Sequence, residues 1–69
     1  MSNHIVKYSE EIWSNKTQNI CEYQVMTDNR IFVNIYDADG DERLEYVGKS
    51  NSEINALKKI HAYHLQNLD

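Results

Sequence analysis

No proline interrupts these 69 residues, and only two are glycine. No linker-like stretch divides them, so a single domain spanning 1–69 is expected. The one cysteine, Cys21, has no internal partner for a disulfide. Small secreted domains usually lean on disulfides, so a reducing cytoplasm is the expected setting. No apolar run approaches the roughly 20 residues of a membrane span, and the N-terminus lacks the apolar core of a signal peptide. No membrane role is therefore expected. Positive charge is scarce as well. Lys and Arg number 7 against 11 Asp and Glu, for a net charge of −4. Phosphate backbones are held by clustered basic side chains, so this balance disfavours nucleic acid as a partner. Yet 41% of the residues are hydrophobic, and the charge is too small to keep such a chain disordered.

What is present is an order of patterns. Ser2 or Asn3 can cap a helix, and Ile5, Tyr8, Ile12 and Trp13 then fall at helical spacing. This predicts a helix over 3–14, with a strand as the competing reading of 5–8. Ser14 to Asn19 is polar and reads as a loop. Residues 21–26 alternate and predict a strand. Thr27-Asp28-Asn29 is a turn, because Asp and Asn side chains bond nearby backbone. Residues 30–36 form the strongest strand pattern: Ile31, Val33 and Ile35 face one way, Phe32, Asn34 and Tyr36 the other. Asp37-Ala38-Asp39-Gly40 predicts a hairpin turn, and 43–47 the returning strand. Ser50 with Glu53 three residues later fits a capping box. The helix it opens runs to about 68, with Ile54, Leu57, Ile60 or His61, His64, Leu65 and Leu68 as its stripe.

The expected fold is α+β, in the order α-β-β-β-α. It is a two-layer domain with a three-stranded antiparallel sheet and two helices packed on one face. Its expected core is Ile5, Ile12, Trp13, Val25, Ile31, Val33, Ile35, Leu44, Ile54, Leu57 and Leu65. Over roughly 4–68 this order resembles the double-stranded RNA-binding domain. The matching pieces are Glu22-Tyr23-Gln24-Val25, then Ile31-x-Val33-x-Ile35 before Asp39-Gly40, then Gly48-x-Ser50 leading to Ala56 and Ala62. The resemblance implies a last helix that opens on lysines and a histidine in the first inter-strand loop. This chain has Asn51, Ser52 and Asn55 at the first place and Thr27 to Asn29 at the second. Tyr46-Val47-Gly48 with residues 53–56 is also loosely similar to AP2-type and integrase-arm DNA-binding domains.

Three constellations bear on chemistry. Asp37-Ala38-Asp39-Gly40-Asp41 starts like a calcium loop, but position 6 is Glu42 and position 12 is Gly48. His61 and His64 lie three apart, which supplies two of the three or four ligands zinc needs. Cys21 lacks an orienting set for nucleophilic chemistry. No enzyme, metal or cofactor is expected.

The expected function is a small acidic binding module that acts through a protein partner with a basic surface. An inhibitor of a nucleic-acid-handling enzyme, of the phage or mobile-element type, is its most specific form. Its contact residues would be Asp37, Asp39, Asp41, Glu42 and Glu45, with Phe32 and Tyr36 as apolar anchors. The first alternative is a duplex RNA or DNA binder using Arg30, Arg43, Lys49, Lys58 and Lys59. The second is a homodimeric structural protein, so monomer and homodimer both stand open.

Overall fold

A computed structural model describes residues 5–69. The expected cap at Ser2 or Asn3, and His4, lie outside those residues. Strand β1 is Val6–Ser14, β2 Asn19–Met26, β3 Arg30–Tyr36 and β4 Glu42–Lys49; helix α1 is Glu53–Asn67. The four strands pair antiparallel in the order β1-β2-β3-β4. Each connection is a short turn. Gln18 and Asn29 take positive φ in the first two turns, and Gly40 (φ 87) does so in the third. One helix then crosses one face of this meander.

The α-β-β-β-α expectation is therefore corrected. The sheet has four strands instead of three, and the described residues contain one helix instead of two. The segment read as a first helix is β1, paired along its length with β2: Ile12 faces Cys21 and Glu10 faces Tyr23. Tyr8 and Ile12 are four apart, and that spacing puts two residues on one face of a strand as well as of a helix. The partner strand decides between them, because an edge next to β2 needs its backbone groups satisfied.

Alternation in β2 and β3 builds the core. Cys21, Tyr23, Val25, Ile31, Val33 and Ile35 are buried and meet Ala56, Ile60 and Leu68 of the helical segment. Tyr8, Ile12, Val47, Leu57 and Tyr63 pack around them. The expected core was right at Val25, Ile31, Val33 and Ile35 and partly right at Ile12 and Leu57. It was wrong at Ile5, Trp13, Leu44, Ile54 and Leu65, which are all exposed. Leu44 pairs with Asn34 on the face away from the helix, which explains its exposure. Ile54 and Leu65 lie on the outward side of a helix whose buried positions are Ala56, Ile60 and His64, four residues apart.

Two local devices set the helix. Its N-cap is Ser52, whose hydroxyl accepts from the Asn55 backbone N–H at 3.2 Å, so the expected Ser50–Glu53 box does not form. At its other end the buried Ser14 hydroxyl donates to the Leu68 carbonyl. Asn15 reaches Asp69 at 3.1 Å. The Leu68 carbonyl, just past the helix end, is thus satisfied by Ser14 and by the Lys16 backbone N–H of the β1–β2 turn, which fixes the helix across the sheet.

Candidate functional site

Because the strands alternate direction, two ends of the molecule collect residues that are distant in sequence. The β1–β2 turn, the β3–β4 hairpin and the end of α1 share one end. The start of β1, the β2–β3 turn, the end of β4 and the start of α1 share the other. The face opposite the helix is bare: no other element among the described residues covers it. Cross-strand pairing orders its rows. Trp13 lies beside Ile20, Glu11 beside Glu22, Asn34 beside Leu44, Tyr36 beside Glu42, and Phe32 beside Tyr46.

This open face has two halves. Towards the hairpin end it carries Trp13, Ile20 and Leu44, which are 52%, 45% and 59% exposed, among Glu11, Glu22 and Glu42. Tyr36 donates its hydroxyl to the Glu42 carboxylate; that bond, then the carboxylate's charge, raises the phenol's pKa. Towards the other end lie Phe32 and Tyr46, edge to face at 5.5 Å, with the Arg30 guanidinium 5.3 Å from the Phe32 ring.

The expected contact set is only partly gathered. Asp37, Asp39, Asp41 and Glu42 stay together at the hairpin. Glu45 does not join them, because it pairs with Val33 and so faces the helix side. There it meets Arg43 at 3.5 Å. Phe32 sits in the basic half, apart from Tyr36. Sequence reasoning missed Trp13, Ile20 and Leu44 as surface residues, since it assigned two of them to the core and left Ile20 in no face. Parity against Ile12 and Cys21 is the signal that finds Trp13 and Ile20; Leu44 needs the β3–β4 register, which sets it beside Asn34.

Asp37 has a structural duty. Its Oδ1 accepts from the backbone N–H groups of Asp39 at 3.0 Å and Asp41 at 2.9 Å, while its backbone N–H donates to the Asp41 carbonyl. That carboxylate is turned into its own loop, the geometry of an Asx turn. Asp37→Ala is expected to lower stability by about 1 kcal/mol through these lost loop bonds. Asp39→Ala, measured beside it by urea titration, is expected to leave the midpoint almost unmoved.

The remaining chemistry-bearing groups are engaged inside the fold. His64 is buried; its Nδ1 lies 2.7 Å from the Tyr23 hydroxyl and its Nε2 lies 2.8 Å from the Trp13 carbonyl. A carbonyl only accepts, so Nε2 carries the proton and Tyr23 donates to Nδ1. Both ring nitrogens are thereby used. His61 is exposed. Cys21 is fully buried, and burial pushes its thiol up against the opposing hydroxyls of Thr17 and Ser14. A protonated thiol without access is a poor nucleophile.

Two open concavities mark the surface. One, of about 510 Å³, lies between β1 and the second half of α1 and is lined by Ile12, Trp13, His61 and Leu65 among others. The second, of about 620 Å³, is lined by Asn29, Lys49, Ser50, Asn51, Asn55, Lys58 and Lys59. No protein-family model matches this chain, and no curated protein or solved structure is significantly similar to it.

Proposed function

We propose that this domain is a non-enzymatic binding module that engages a protein partner through the hairpin-side half of its open sheet face. One observation carries the reading. Trp13, Ile20 and Leu44, all exposed, and the half-buried Tyr36 form an apolar strip flanked by Glu11, Glu22, Glu42 and the acidic hairpin. Soluble domains rarely leave aromatic and aliphatic groups together on an open surface without a use for them. Aromatic anchors rimmed by one sign of charge fit a partner that is apolar at its centre and basic around it.

Size supports including the hairpin. Four strands about 4.8 Å apart and about 25 Å long offer roughly 450 Å² of face, of which the strip takes about half. A standard interface takes about 800 Å² from each side. A partner seated on the strip therefore reaches the carboxylates of Asp39 and Asp41 as well. A basic groove that normally holds nucleic acid has this chemistry, and an inhibitor of such an enzyme is the specific form of the proposal.

The test places a photo-crosslinking residue at Leu44 and, as a control, at the exposed Gln66 on the far side of the helix. The expected result is a discrete adduct from position 44 in lysate. Leu44 and Gln66 giving the same adducts, or none, rejects the surface. With the crosslinker moved to Ile20, Leu44→Arg is expected to abolish the adduct while the far-ultraviolet spectrum is unchanged. Sedimentation of the free protein separates the homodimer, which would place a second copy on the same strip.

A further inference from the structure

The chain's basic residues do not scatter. Lys49, Lys58 and Lys59 line one concavity with the side chains of Asn29, Ser50, Asn51 and Asn55. Lys7 reaches it from β1, its Nζ donating to Asn29 Oδ1 at 2.9 Å. The stem of Lys59 lies across Gly48, where an added Cβ would meet its Cδ at 3.7 Å. Arg30, ion-paired to Asp28 at 2.6 Å, completes the same end. Five of the seven basic residues of the chain thus stand together, held by the Ser50 N–H bond to the Asn29 carbonyl at 3.0 Å. Glu53, at the start of α1, is an acid at the same end.

We propose that this end binds the backbone of a single-stranded nucleic acid. The ammonium groups donate, and so do the NH2 groups of the asparagine amides, which suits phosphate oxygens. The net charge of −4 does not forbid it. The acidic hairpin lies the length of β4 away, 8 residues. That is about 26 Å, or roughly three Debye lengths at physiological salt. Screening leaves the local lysines in control.

Single strands are favoured over duplexes by the neighbouring aromatics. Lys49 pairs across the sheet with Arg30, and the next row is Phe32 beside Tyr46. Tyr46 is 55% exposed and stands three residues before Lys49 in β4, about 10 Å along the strand, so a ring is available to a single strand that runs past Lys49. Unpaired bases stack on such rings, while a duplex hides its base faces. This site is independent of the protein-docking strip, because it uses the opposite half of the open face and the opposite end of the molecule.

Fluorescence anisotropy with labelled oligo-dT and oligo-U of about 20 nucleotides, and a duplex of the same length, tests it on the intact protein. Binding of the single strands is expected. It should weaken roughly 20- to 50-fold between about 50 and about 200 mM salt, the slope for three or four phosphate contacts. The triple variant Lys49→Ala, Lys58→Ala, Lys59→Ala should lose at least about tenfold. Tyr46→Ala should also lose about tenfold through stacking, and Leu44→Arg should lose nothing. No anisotropy change at about 100 µM protein in low salt overturns the proposal. So does unchanged binding by a folded triple variant. Tighter capture of the duplex than of the single strands overturns the single-strand assignment.

Discussion

Ile60→Ala is expected to leave the domain largely unfolded at room temperature. Ile60 is fully buried at the centre of the helix face that covers the sheet, within the cluster of Tyr23, Val25, Ile31, Val33 and Ile35. Deleting three buried carbons from such a position costs about 2–5 kcal/mol, part lost transfer energy and part cavity. A core in a domain of this length rarely supplies more than about 3–5 kcal/mol in total. The loss is therefore comparable to the whole stability, which is why this substitution outweighs any on the surface. Leu65→Ala, five residues on in the same helix but 69% exposed, is expected to move the urea midpoint very little. Circular dichroism with urea titration reads both. Two similar midpoints would mean that the helix does not cover the sheet with its 56–60–64 face.

The contrast between those two positions bears on what the sequence can convey. The central strands were legible because both neighbours of β3 are strands and its inward residues are all aliphatic. Ile31, Val33 and Ile35 alternate with Phe32, Asn34 and Tyr36, and the observed bounds Arg30–Tyr36 match the expected ones. The edge strands were harder because they place charge on the inward side. Glu10 in β1 and Arg43 and Glu45 in β4 stand on the helix-facing side of the sheet. Inward charges at edges discourage further strand pairing, and they also blur the period-two signal. In β1 only Tyr8 and Ile12 remained to be read, and their spacing suits either period. Trp13, on the outer face, then completed a false helical stripe.

The distribution of charge was hidden for a different reason. Summing over the chain gives an acidic protein, but a meander sorts residues by end. Lys7, Arg30, Lys49, Lys58 and Lys59 come from β1, β3, β4 and α1, and only the alternation of strand direction brings them together. The acidic run had no such difficulty, being contiguous in sequence. Even there Glu45 left the group, because each step along a strand changes face. Fields decay within about 8 Å at physiological salt, so the local count at each end governs what that end attracts.

Alkaline titration is expected to destabilise the fold through Tyr23, and Tyr23→Phe to remove most of that sensitivity. The hydroxyl is fully buried, and burial, followed by the neighbouring Cys21 and Tyr63, raises its pKa well above that of a free tyrosine. Its proton is also committed to His64 Nδ1. In the unfolded chain the same group ionises near pH 10. Above about that pH the unfolded state loses a proton that the folded state keeps, so the folded state binds more protons and stability falls as pH rises. Below it both states are neutral and the contribution is fully present. One such group gives a slope of about 1.4 kcal/mol per pH unit, enough to unfold a small domain within two or three units. Tyr8, Tyr36 and Tyr63 shift in the same direction and add to the effect, though all three are far less buried than Tyr23. Tyr23→Phe is therefore expected to show two opposite changes. At neutral pH it loses about 1–2 kcal/mol, because His64 keeps its bond to Trp13 but leaves Nδ1 unpaired. Above pH 10 its stability curve is expected to be flatter than that of the parent. Urea midpoints collected from about pH 7 to about pH 11.5 measure both limbs. A parent and variant that decline in parallel through the alkaline range would show that the Tyr23 hydroxyl reaches water, and would remove the buried pair with His64 that holds the end of α1 to β1 and β2.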